Sequence, residues 1–123
     1  MNNPPNSKDG FDIYSLLERL PLATNVVDGS GRYVYVSQKF CDLVGYTRDE
    51  LMEMSFWDIT PVTSQNRDHI AFESLENFGS TGWFSKVFRH KDGLLMPAAV
   101  IVSTLEISKK TFYIALIDRN LSY

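Results

Sequence analysis

Few residues in this chain have chemistry to offer. There is one cysteine, Cys41, and there are two histidines, His69 and His90, among 15 Asp and Glu spread along the sequence. A single thiol forms neither an internal disulfide nor a CxxC redox pair, so a reducing, cytoplasmic setting is expected. No Gly-rich phosphate loop, GxSxG elbow, HExxH pair or EF-hand loop occurs, and too little remains to assemble a nucleophile with its base or a metal cage. The reading is therefore binding without catalysis and without a metal. Asn25 is the polar residue of most interest. It lies within the β-prone run Ala23-Thr24-Asn25-Val26-Val27-Asp28, whose alternation puts Ala23, Asn25 and Val27 on one face and Thr24, Val26 and Asp28 on the other. A buried amide has to be hydrogen-bonded, by a ligand, a backbone neighbour or water, or it costs about 1–3 kcal/mol.

The elements that would position these residues are legible in the patterning. A chain of 123 residues, 44% hydrophobic, is one domain and large enough to bury a core without staples. Residues 1–10 hold Pro4, Pro5, Asn6 and Gly10 and read as a flexible leader, leaving 11–123 as the folded domain. Phe11, Tyr14, Leu17 and Leu20 recur every three residues and predict a short amphipathic helix, with Asp9 as a cap and Pro21 as its end. The run from Ala23, the turn Gly29-Ser30-Gly31 and the run Arg32 to Val36 predict a β-hairpin. Gln38 to Leu43 and Arg48 to Met54 predict two short helices broken at Gly45, the second with a capping box of Thr47 and Glu50. Ser55 to Ile59 is a turn or short helix before Pro61. Thr63 to Phe78 is the longest helical stretch, stopped by Gly79 and Gly82. Trp83 to Arg89, Leu94 to Leu105 and Thr111 to Ile117 are strands, with turns at Lys91-Asp92-Gly93 and Glu106 to Lys110. This order predicts an α+β domain with an antiparallel sheet covered by helices on one face.

The net charge of −3 and the absence of any Lys/Arg block exclude direct binding to nucleic acid or to an anionic membrane. No apolar run approaches the roughly 20 residues that would span a bilayer, and the N-terminus lacks the pattern of a signal peptide.

Element order and punctuation together resemble a PAS domain, the sensory module of bacterial signalling proteins, from about Phe11 to Asp118. The carrying residues are Leu20-Pro21, Asp28-Gly29-Ser30-Gly31-Arg32, Gln38-Lys39-Phe40-Cys41, the segment Gly45-Tyr46-Thr47-Arg48-Asp49-Glu50-Leu51, Trp57-Asp58-Ile59-Thr60-Pro61 and Arg89-His90-Lys91-Asp92-Gly93. The resemblance implies a five-stranded antiparallel sheet in spatial order 2-1-5-4-3, with helices forming a pocket over its inner face and an N-terminal amphipathic cap helix. It implies a signal-sensing function in which a small ligand or cofactor is bound and the change is relayed to an output domain. That domain would be a histidine kinase, a cyclic-dinucleotide enzyme or a regulator of transcription, as in two-component systems, and this sequence would be the sensor segment of a longer protein. Two departures from the family pattern are Ser37, where an Asn is common, and Asp118-Arg119-Asn120, where an Asp-Ile-Thr turn is common.

The cofactor is left unknown, with haem and flavin disfavoured. Flavin adduct chemistry needs a cysteine in the segment that here reads Met54-Ser55-Phe56-Trp57-Asp58-Ile59, and Cys41 lies one helix too early. Trp57 is either a stacking surface for a non-covalent flavin or simply core. His69 lies on the long helix where haem-binding relatives place a ligand, but at about 100° per residue it is rotated roughly 130° from the arc of Ala71, Phe72, Leu75 and Phe78. His69 is therefore read as a rim residue and His90 as an exposed turn residue. Comparison with the family turns Asn25 and Val27 toward the pocket. The expected lining is completed by Val34, Val36, Phe40, Val44, Phe56, Trp57, Ile59, Phe72 and Leu75 with residues of the last two strands, around either a small ligand or a filled core. Tyr33, Tyr35, Val26 and the run Ala98 to Val102 are expected to load the outer face. The helix with Phe11, Tyr14 and Leu17 would cover that face, either on its own sheet or across a homodimer. Asp118, at the end of the last strand, is the expected signal-coupling position. The alternative function is a ligand-free dimerisation or protein-interaction module.

Overall fold

A computed structural model describes residues 13–61 and 73–120. Their order is α1 (Ile13–Arg19), β1 (Ala23–Val27), β2 (Tyr33–Val36), α2 (Gln38–Val44), α3 (Arg48–Met52), a 3-10 turn (Phe56–Ile59), β3 (Phe84–Arg89), β4 (Leu95–Ile107) and β5 (Lys110–Asp118). Residues 73–78 are helical. The strands form one sheet in the order β2-β1-β5-β4-β3, antiparallel throughout, as the patterning and the resemblance predict. The leader 1–10, Phe11, His69, Phe72 and most of the expected helix from Thr63 lie outside the described residues.

Local chemistry explains the helices. Ser37 caps α2, its Oγ accepting from the Phe40 N–H at 3.2 Å and from the Thr24 N–H of β1 at 3.0 Å, so one hydroxyl both starts the helix and ties it to the sheet. Gly45 ends α2 in the left-handed conformation, φ 81°, where a side chain is strained. The capping box is present: Thr47 Oγ1 accepts from Glu50 N–H at 3.1 Å, and Glu50 Oε1 accepts from Thr47 N–H at 2.8 Å. Lys91 donates to the other Glu50 oxygen at 2.6 Å, and Lys91 N–H donates to the Val44 carbonyl at 2.9 Å, binding the α2–α3 corner to the β3–β4 turn. His90, expected to be exposed, is packed into that junction against Gly45.

Two strand features differ from simple alternation. In β2 the partners run Asn25 to Val36, Val26 to Tyr35, then Val27 to Tyr33, so Val34 is an extra, unmatched residue. A bulge of this kind resets the faces. Tyr33 therefore joins Val36 in the inner core although it is expected on the outer face, and Val34, expected in the pocket, is 42% exposed. The run Ala98 to Val102 also divides: Ala98, Val100 and Val102 pack inward. At the other end, the polar stretch from Glu106 contracts to a two-residue turn at Ser108 and Lys109, both with positive φ (51° and 66°), and β4 and β5 are longer than expected on either side of it.

Two apolar clusters hold the sheet. The inner one joins β1, β2 and the last three strands to Phe40, Leu43, Val44, Leu51 and Ile59. The outer one packs Leu17 of α1 on Val26 and Tyr35, with Phe112 and Ile114 beside them. The cap helix lies on its own sheet.

Candidate functional site

Between the inner sheet face and the segments that cross it, a half-enclosed cavity of about 60 Å³ remains. Its floor is Asn25 and Val27 of β1, Tyr33 of β2, Tyr113 and Ala115 of β5, Val100 and Val102 of β4, and Phe84, Lys86 and Phe88 of β3; Phe56, Leu75 and Thr81 complete the lining among the described residues. Phe56 is placed by its backbone. Its N–H donates to the Gly31 carbonyl at 3.0 Å and Tyr33 N–H donates to the Met54 carbonyl at 3.2 Å. Gly31 sits at φ 90°, and a Cβ there would come within 2.8 Å of the Phe56 ring. A glycine is needed at that close approach.

Four of the eleven residues named for the expected lining do line the cavity: Asn25, Val27, Phe56 and Leu75. Val36, Phe40, Val44 and Ile59 are fully buried but belong to the packed core under α2 and α3. Trp57 leans on Phe56, ring centroids 4.2 Å apart, and is not on the cavity wall. Cys41 is buried within the core, and burial pushes its thiol up, the state of an inert packing residue. Among the described residues no group of three or more His, Cys, Asp or Glu could hold a metal, and no helix is long and apolar enough to cross a membrane.

The residue missed by sequence reading is Lys86. It is buried, its Nζ donates to Thr60 Oγ1 at 3.0 Å, and it lies over the Phe88 and Phe56 rings at 5.2 and 5.8 Å. Thr60 Oγ1 in turn donates to the Phe56 carbonyl at 2.7 Å. Inward alternation with Phe84 and Phe88 was the available signal, but a lysine in a strand next to Arg89 is ordinarily a solvated residue.

Of the expected interface residues, Leu17 and Tyr35 are buried within the chain. Tyr14 stacks on Tyr35 at 5.4 Å while remaining 46% exposed. Asp118 pairs with Ala99, accepts from the Asn120 N–H at 2.8 Å, and lines a second, open crevice of about 310 Å³ with Pro21, Lys39, Asp42 and Arg119. The start of β1 and the end of β5 meet there, Ala23 opposite Ile117.

A family model described as PAS domain matches residues 21–121. No curated protein matches the chain in sequence. Among solved structures, a PAS domain from a two-component sensor histidine kinase superposes with TM-score 0.72 at 17% identity, covering 85% of this chain and 90% of that one. The PAS domain of a protein from Desulfitobacterium hafniense gives 0.70 at 21% identity, over 85% and 97%. A domain of the sensory box sensor histidine kinase/response regulator from Geobacter sulfurreducens gives 0.71 at 13%, over 91% and 93%. At these identities the likeness to the solved structures is one of fold.

Proposed function

The chain belongs to the PAS domain family, and on that premise we propose that it is a non-catalytic sensory module that binds a small ligand in the inner cavity and relays its presence to an output domain of a longer protein. The observation that supports this best is the cavity itself, with the buried amide of Asn25 on its wall. A core serving only as scaffold would place hydrocarbon there. About 60 Å³ suits a compact ligand of a few heavy atoms; a flavin ring system or a haem is far larger.

The relay follows from strand sharing. Asn25 pairs with Ala115, three residues before Asp118, so a ligand that pulls on Asn25 acts on the strand that ends at the coupling position. The same two strands carry α1 on their other face through Val26 and Ile114. A ligand that prefers one arrangement of β1 and β5 shifts the helix and the exit of β5 together. The histidine-kinase settings of the structural neighbours support a two-component output, whether kinase or regulator of transcription, and the lone buried thiol supports a cytoplasmic site. Homodimerisation through the exposed side of α1, at Tyr14 and Leu16, belongs to the same reading.

The test is native mass spectrometry of freshly purified protein together with its absorption spectrum. A bound mass released on denaturation, with protein absorption alone, is the expected result. A Soret or flavin band would replace the compact ligand with a cofactor. No bound mass, and no compound that raises the melting temperature, would leave the alternative of a ligand-free interaction module, which the fully packed core of Val36, Phe40, Val44 and Ile59 favours.

A further inference from the structure

We infer that Asn25 is the residue that recognises the ligand, and that it does so by pairing edge to edge with an amide-type group: a primary carboxamide, a lactam or a cyclic urea. This rests on the sensory reading above and names the group by which the ligand is held.

Asn25 is 6% exposed and lines the cavity. Among the described residues its side chain has no hydrogen-bond partner, and neither of its two polar atoms is sealed from open space. The reason lies in the register. Across the inner face one row runs Val36, Asn25, Ala115, Val102, so the amide stands between hydrocarbon side chains that neither donate nor accept. The backbone groups of these strands point along the sheet into the ladder. Ala115, directly opposite Asn25, is also the smallest side chain of the row and lines the cavity too, which leaves space beside the amide. An amide buried without partners lowers the stability of the fold. It adds nothing to packing that a leucine would not supply, so its polarity serves whatever fills the cavity.

What fits follows from the shape of the group. The amide oxygen accepts and the nitrogen donates, side by side in one plane, and turning the amide over exchanges the two without altering the pattern. A ligand group with a donor and an acceptor likewise adjacent closes two near-linear hydrogen bonds at once, as asparagine does with the edge of adenine. A lone carbonyl engages only the nitrogen, and a hydroxyl meets one atom at a good angle at the expense of the other. Hydrocarbon engages neither. The pairing makes no demand on the charge of the ligand's other atoms.

Heteronuclear NMR titration of the isotope-labelled chain with γ-butyrolactam and with cyclopentanone tests the assignment, because these rings of one size carry N–H or a methylene beside the carbonyl. The lactam is expected to bind about fivefold or more tightly than the ketone, the increment of one further hydrogen bond, with shifts centred on the backbone amides of Asn25, Ala115 and Val102. Asn25→Leu is expected to bring the two affinities together, and a preference that survived it would overturn the assignment to this residue. Equal binding of lactam and ketone in the cavity of the unaltered chain would overturn the assignment and leave the sensory reading intact. Binding of neither, or shifts centred away from the cavity, would overturn it as well. A bound mass in the native spectrum would then preserve the sensory reading, and an empty spectrum would remove both. The comparison on the unaltered chain decides the matter even if the variant fails to fold.

Discussion

Glu18 and Arg48, 30 residues apart, meet at 2.9 Å, and around that pair the cap helix is joined to three other elements. Glu18 also accepts from the Tyr35 hydroxyl at 2.9 Å and from the Gln38 N–H at 3.2 Å, while Arg48 Nε donates to the Val36 carbonyl at 3.1 Å. The ion pair itself is half-exposed and contributes little. The shared acceptor matters more, because it fixes how α1 lies across β2 and the starts of α2 and α3.

Glu18→Ala is therefore expected to loosen the helix without unfolding the sheet. Its loss leaves the Tyr35 hydroxyl without that acceptor and should cost about 1 kcal/mol. Hydrogen exchange is the measurement: amides of α1 should exchange faster while those of β5 keep their protection. Uniform acceleration across the domain would show that α1 and the sheet open as one unit.

Tyr35 sets an alkaline limit. Burial, then the hydrogen bond to Glu18, holds its phenol well above the usual value of 10.0. A group whose pKa is raised on folding contributes stability that is fully present below its unfolded pKa and is lost as pH rises past it. Stability should thus be level up to about pH 10 and decline above it. Tyr35→Phe should flatten that decline in denaturant titrations carried out at stepped pH.

Glu50 sets the acid counterpart. The Lys91 hydrogen bond, then the Thr47 N–H, hold its carboxyl below the usual 4.5. The contribution is present above the unfolded value and is lost as pH falls through the lowered one. Glu50→Gln should reduce the loss of stability on acidification. Thr47→Ala, which removes the cap, should cost about 1 kcal/mol at neutral pH, read from the denaturation midpoint.

Gly45 and His90 are coupled through space. A Cβ at Gly45 would run into the His90 ring, and the backbone there has φ 81°. Gly45→Ala should destabilise by more than about 1 kcal/mol. His90→Ala in the same chain should recover the steric part and leave the conformational part. A double-mutant cycle with no interaction energy would contradict this geometry.

The β2 bulge makes the two valines of that strand, Val34 and Val36, behave oppositely. Val34→Ser should change stability by no more than about 0.5 kcal/mol, whereas Val36→Ala, at a fully buried position, should cost about 2 kcal/mol. Similar costs at both positions would place β2 in a regular register.

Asp118→Ala tests the relay in the longer protein. Output should no longer respond to ligand while affinity for it, measured by titration, stays unchanged. A loss of affinity instead would mean that the residue supports the pocket rather than its coupling.

What the amino-acid sequence determined by itself is whatever depends on neighbours along the chain. The capping box of Thr47 and Glu50 and the break at Gly45 join residues at most a few positions apart. So do the hairpin between β1 and β2 and the shared face of Asn25 and Val27, which local preference and period express directly, while it was the resemblance that turned that face inward. The resemblance extended these to the sheet order. Tertiary structure alone decided the rest. The bulge at Val34 arises from pairing with β1, a constraint no alternation pattern carries, and it moved Tyr33 from the outer face to the cavity. The turn at Ser108 and Lys109 lacks the Gly or Asn that would announce it. Phe40, Val44 and Phe56 have the same hydrocarbon character, and only their positions relative to the sheet separate packed core from cavity wall. Lys86 reads as a surface residue until β3 turns it inward beneath two rings, because the hydroxyl that accepts from its ammonium, Thr60 Oγ1, lies 26 residues away in the chain.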